Sequence, residues 1–132
     1  MRYALLIVLG LAIGIIGTVM AMNALNRGPH IPQSLMQMND FHLDGLHANI
    51  EQNHCAVTDN LPHLQALRML SNDIEPVFLP IDKADVFKQK ASSLRATLDA
   101  LLAAPPADCA AVGAAMTRIG HDCKSCHQEF RN

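Results

Sequence analysis

Between its prolines this chain repeats apolar residues every three or four positions and nowhere alternates them, which restricts it to packed α-helices. A segment at about Gln33–His54 carries Met36, Leu43, Leu46 and Ile50 along one stripe. A second opens at Asn60, read as its cap, with Pro62 in the first turn. It carries Leu61, Leu64, Leu67, Leu70 and Ile74, and Pro76 and Pro80 end it. Asp82 is read as the cap of a third, whose stripe is Phe87, Ala91, Leu94, Leu98, Leu101 and Leu102, before Pro105 and Pro106 break it. Asp108 caps a fourth, with Val112, Met116, Ile119, Cys123, Cys126 and Phe130 on one face.

Four amphipathic helices with short connections predict an all-α, antiparallel up-down-up-down four-helix bundle, because short loops make consecutive helices antiparallel neighbours. An irregular helical domain is the alternative. The 132 residues allow one core, and a core with no Trp, one Tyr and four Phe suits helices better than sheets. A net charge of −2 without a basic patch argues against a nucleic-acid partner.

The beginning of the chain is a separate segment. No charged side chain stands between Arg2 and Arg27, a run long enough for the ~20 apolar residues of a bilayer-spanning helix. Residues 1–26 are therefore read as an N-terminal transmembrane anchor or uncleaved signal, and residues 27–132 as the bundle. Val19-Met20-Ala21 offers the competing reading, a signal removed after Ala21. Arg2 would stay in the cytoplasm, which places everything after Arg27 in the periplasm of a bacterium. Gly10, Gly14 and Gly17 could make a close helix–helix contact, although glycine is common in membrane helices anyway. Residues 27–33, with two prolines and a glycine, read as a linker.

Residues 123–127, Cys-Lys-Ser-Cys-His, carry the chemistry. This spacing is the signature of covalent haem attachment: two thiols on one side of a helix form thioethers, and the adjacent imidazole reaches the iron. Cys123 and Cys126 would fix the macrocycle and His127 would be the proximal ligand. A zinc site would need two more ligands nearby, and His121 supplies only one. A thioredoxin-like pair would need a βαβ context, which the pattern lacks. A Cys123–Cys126 disulfide would leave the histidine without a role. In an oxidising compartment Cys55 and Cys109 remain as a candidate pair.

With Cys-Lys-Ser-Cys-His-Gln-Glu-Phe-Arg at 123–131, on a last helix, the chain resembles the class II c-type cytochromes: the cytochrome c prime group and its low-spin relatives. Gln33-Ser-Leu-Met36 resembles the family's distal side. The resemblance implies one covalent haem c and Met36 facing the iron opposite His127. Met36 stands 19 residues before Cys55 and His127 stands 18 after Cys109, so each separation spans roughly 27–28 Å along a helix. A Cys55–Cys109 disulfide at one end would thus bring Met36 and His127 level at the other. Arg131 matches the family's basic residue after the histidine, whereas Pro32 stands where the family usually has Arg. His42 and His47 are read as surface residues, and Lys124, Ser125 and Gln128 as a solvated face.

The family contains two distal arrangements. Met36 ligation gives a six-coordinate electron carrier, and an open iron gives a binder of nitric oxide or carbon monoxide. The first reading is a membrane-tethered carrier, not an enzyme, in the inner membrane with its haem domain in the periplasm, or soluble there if residues 1–21 are removed. Its partners would be the membrane and a redox protein donor and acceptor. A homodimer, or a fixed haem subunit of a larger membrane complex, stays open.

Overall fold

A computed structural model describes residues 2–25 and 30–131. Met1 and Asn26 at the two ends of the expected anchor, Arg27, Gly28 and Pro29 of the expected linker, and Asn132 lie outside the described residues. Six helices follow in order: α1 (Arg2–Leu25), α2 (Ile31–Glu51), α3 (Val57–Leu70), α4 (Ile74–Phe78), α5 (Ala84–Ala103) and α6 (Cys109–Phe130). The chain divides into two compact units, Met1–His30 and Ile31–Asn132.

In the first unit, α1 has 24 residues, about 36 Å at 1.5 Å rise each, against the ~30 Å hydrocarbon core of a bilayer. Its window Leu6–Asn23 has a mean hydropathy of 2.2. By length and composition this helix can cross a membrane. Thr18 Oγ1 donates to the Gly14 carbonyl at 2.7 Å, so its hydroxyl needs no outside partner.

The second unit is the expected antiparallel bundle. Each long helix packs on two others: α2 on α3 and α6, and α5 on α3 and α6. Side-chain contacts fix the directions. Asn49 meets Asn60 while His42 meets His63, so α2 and α3 run oppositely. Thr97 bonds Asp122 while Phe87 meets Phe130, which does the same for α5 and α6. The four long helices all contribute to the centre of the core: Leu46, Leu64, Leu98, Val112 and Ile119 are each at most 1% exposed. Full burial stabilises by about 1.5–3 kcal/mol for each such side chain.

Four boundaries differ from the sequence reading. α2 begins at Ile31, so Ile31, Pro32 and Gln33 of the expected linker are helical, and Pro32 stands in the first turn, where no intrahelical donor is required. Asn60 does not cap the second helix, which begins at Val57, where the Ala56 N–H donates to Asp59 Oδ2 at 3.0 Å. Asn60 is instead fully buried; its amide donates to the Ala56 carbonyl at 3.0 Å and accepts from Asn49 Nδ2 at 3.2 Å, tying α3 to α2. Pro76 does not end that helix either. A turn after Leu70 does, and Pro76 lies in the first turn of α4, where no intrahelical donor is required. Asp82 is not the cap of α5: Lys83 holds that place in the left-handed conformation (φ 56°), and its ammonium pairs with Glu129 on α6. Asp108 does cap α6, accepting from the Ala111 N–H at 2.7 Å.

Candidate cofactor site

The last three turns of α6 place Cys123, Cys126 and His127 on the flank that faces α2 and α5. All three are half-buried, because the stripe that buries Val112 and Ile119 continues through them. Neither thiol is in a disulfide. They line a cavity of about 690 Å³ together with Met36 of α2, Phe87 and Leu94 of α5, and Phe130. That volume lies within the ~300–1,000 Å³ of small-molecule and cofactor sites. Phe87 sits edge-on to Phe130 at 5.2 Å and 6.0 Å from Phe78, so aromatic rings form one wall.

Burial, followed by the carboxylate of Asp122 and then Cys126 and Asp40, pushes the Cys123 thiol up to about 11. Burial also raises Cys126, against the pull of Lys90. Both groups are therefore protonated at neutral pH. A thiol–disulfide catalyst needs the reverse, a thiolate favoured by positive surroundings. A metal cage fares no better: among the described residues no three His, Cys, Asp or Glu side chains gather, and the His121 side chain is 82% exposed. An apolar chamber with two adjacent neutral thiols and an imidazole on one wall fits a covalently held, largely apolar macrocycle.

Met36 and His127 line this one cavity from opposite helices, while Cys55 and Cys109 are bonded at the far end, their Cα atoms 5.0 Å apart. Met38 is 48% exposed and does not line it. Pro32, Gln33 and Arg131 stand at the cavity's edge, exposed. His47 is at the surface near Glu51, whereas His42, read as a surface residue, is half-buried against His63 of α3.

Other lining residues are not among the site candidates of the sequence, although Ile74 stands on its second apolar stripe. Ile74 and Phe78 come from α4 and Ile81 from the segment after it, a part of the chain read as a helix end. Lys90 is a half-buried cation on the α5 wall, one turn from Phe87 on the same stripe, which was the available signal. Asp122, next to Cys123, is held by α5, accepting from Thr97 Oγ1 at 2.6 Å and Ser93 Oγ at 3.1 Å.

Residues 81–131 match the family model described as Cytochrome C'. Over 47 residues the chain is 53% identical to cytochrome c-556 of Agrobacterium tumefaciens (strain II Chrys), covering 36% of this chain and 38% of that protein. It is 49% identical over 47 residues to cytochrome c-556 of Agrobacterium fabrum (strain C58), covering 36% and 32%. A third cytochrome c-556, from A. tumefaciens strain apple 185, is 42% identical over 50 residues, covering 38% and 40%. The match thus spans about two fifths of the curated relatives' length or less. No solved structure gives a significant match. Over residues 81–131, which hold Cys123, Cys126 and His127, the chain is similar to the class II c-type cytochromes, the cytochrome c prime group and its low-spin relatives, whose cofactor is covalent haem c.

Proposed function

We propose that this protein is an electron carrier tethered by α1 to the inner membrane, with its haem domain in the periplasm. Cys123 and Cys126 hold haem c as thioethers, His127 is the proximal ligand and Met36 the distal one. When bound, the haem supplies a reversible one-electron iron couple, and His/Met ligation raises its potential. The chain's own part is positional. α6 presents two sulfurs and an imidazole at i, i+3 and i+4, α2 brings the Met36 thioether to the facing wall, and Phe87 and Phe130 give the macrocycle an aromatic wall to pack on. Arg131, at the cavity's edge, is placed to tune charge there. The observation that carries the reading is that one apolar cavity is lined by Met36 from α2 and by Cys123, Cys126 and His127 from α6.

A retained α1 would keep the carrier at high effective concentration beside membrane-bound donors and acceptors. The test is the intact mass and the oxidised and reduced absorption spectra of the protein made in a host with haem c maturation machinery. One added porphyrin and a low-spin ferrous spectrum with sharp α and β bands are expected. A high-spin spectrum would move the protein to the gas-binding class, and a mass without porphyrin would remove the reading altogether.

A further inference from the structure

The seam between α2 and α3 holds a pair of imidazoles that the cofactor cavity does not use. His42 and His63 are half-buried, and their Nδ1 atoms lie 3.2 Å apart. Phe41 meets the His42 ring edge-on at 5.1 Å, and the two imidazole planes are inclined at 66° with centroids 5.4 Å apart. Gly45 makes this approach possible, since a Cβ there would overlap the His63 ring. The bare backbone of α2 is the floor under that ring.

We infer that His42 and His63 form a chelating site for a divalent first-row ion of the zinc or copper type, bound through both Nδ1 atoms. Two ligands at ~2.0–2.1 Å from one ion stand about 3.3–3.4 Å apart at a tetrahedral angle and about 2.8–3.0 Å apart at a right angle. The observed 3.2 Å falls between these limits, so the two Nδ1 atoms already stand at the spacing of two ligands that share one ion. In the metal-free protein one ring donates to the other. On binding, that ring shifts its proton from Nδ1 to Nε2, both rings stay neutral, and two lone pairs reach the metal. Imidazole ligands suit zinc, copper and nickel. Among the described residues no third His, Cys, Asp or Glu joins the pair, so water completes the coordination and the site is open and exchangeable.

The test is equilibrium dialysis of the holoprotein against zinc alone, followed by metal analysis. One zinc per chain is expected. His42→Ala and His63→Gln should each weaken it by more than the ~10–100-fold that loss of an outer-shell partner costs. His47→Ala should leave it unchanged, which separates the seam from the exposed His47–Glu51 pair. Folding of each variant is read from its helical circular dichroism, and a variant that fails to fold is replaced by Gly45→Ala, which displaces the His63 ring without touching either ligand and should also weaken binding. No zinc retained, or a single site that survives both histidine substitutions, overturns the inference.

Discussion

Cys55 and Cys109 are bonded across the end of the bundle remote from the cavity, and this link ties the loop after α2 to the first residue of α6. It closes a loop with a sequence separation of 54, for which the chain-entropy model gives about 4 kcal/mol. Against the ~5–15 kcal/mol of a typical domain this is a large share. A Cys55→Ser, Cys109→Ser double variant should lose stability by that order in guanidinium unfolding. Its slope against denaturant should change as well, because the unfolded chain is no longer cross-linked. An unchanged midpoint would mean that the bundle's packing alone sets the register between α2 and α6.

One ion pair joins the short α4 to α5, beside the Phe78–Phe87 ring contact. Arg95 Nη2 donates to Glu75 Oε1 at 2.6 Å, both side chains being about three quarters covered, and Arg95 Nη1 reaches the Ser71 carbonyl at 3.4 Å. Glu75→Gln should cost about 1.5–3 kcal/mol, the scale of a hydrogen bond to a charged group. The loss should concentrate in α4. Hydrogen exchange would read it as faster opening of the Val77 and Leu79 amides, which donate to the Asp73 and Glu75 carbonyls, relative to the α6 core, and uniform acceleration would refute a local role.

The long elements were legible because burial acts on spacing alone. Leu94 and Leu98, or Val112 and Ile119, lie four or seven residues apart, and that periodicity alone places them inside. The half-buried place of the thiols and His127 was legible for the same reason, since their helix continues an apolar stripe, whereas their chemistry is read from the Cys-Lys-Ser-Cys-His spacing alone. What escaped depends on partners distant in sequence. Asn60 looked like a cap because its amide can cap, but Asn49 and Ala56 occupy that amide from the buried side. Lys83 takes a left-handed backbone next to an acidic partner 46 residues away. Ile74 and Phe78 reach the cavity only because Ser71–Asp73 turns the chain back over it.

His63 makes stability depend on pH in a direction that follows from its surroundings. Its folded pKa lies below 6.5, chiefly through burial and then through His42, so the unfolded chain takes up a proton at a pH where the fold does not. The stability tied to the neutral ring is fully present above 6.5 and is lost as pH falls through the folded value. Unfolding midpoints in guanidinium at pH 7.5 and 5.5 should therefore differ more for the native sequence than for His63→Gln. An identical difference in both proteins would assign the acid sensitivity elsewhere.

Gly45→Ala tests the same seam by volume. The added Cβ would overlap the His63 ring, which must swing out of the seam or push α3 away from α2. Helix propensity alone favours Ala over Gly by about 0.8–1 kcal/mol, so a purely local effect would stabilise α2. Overpacking costs typically about 1–3 kcal/mol, and the net change should be destabilising. Thermal unfolding decides the sign.

Met36 and Met38 offer a paired test of the distal side. Two positions apart on α2 they point about 200° from each other, so only one can face the cavity, and Met36 lines it while Met38 is exposed. Met36→Ala should convert the low-spin ferrous spectrum to high-spin and lower the reduction potential, because the thioether that favours the reduced iron is gone. Met38→Ala should leave both unchanged. An equal response from the two variants would point to a general loosening of α2. If neither changes the spectrum, Met36 is a packing residue over an open iron, and carbon monoxide should then bind the ferrous native protein without any substitution.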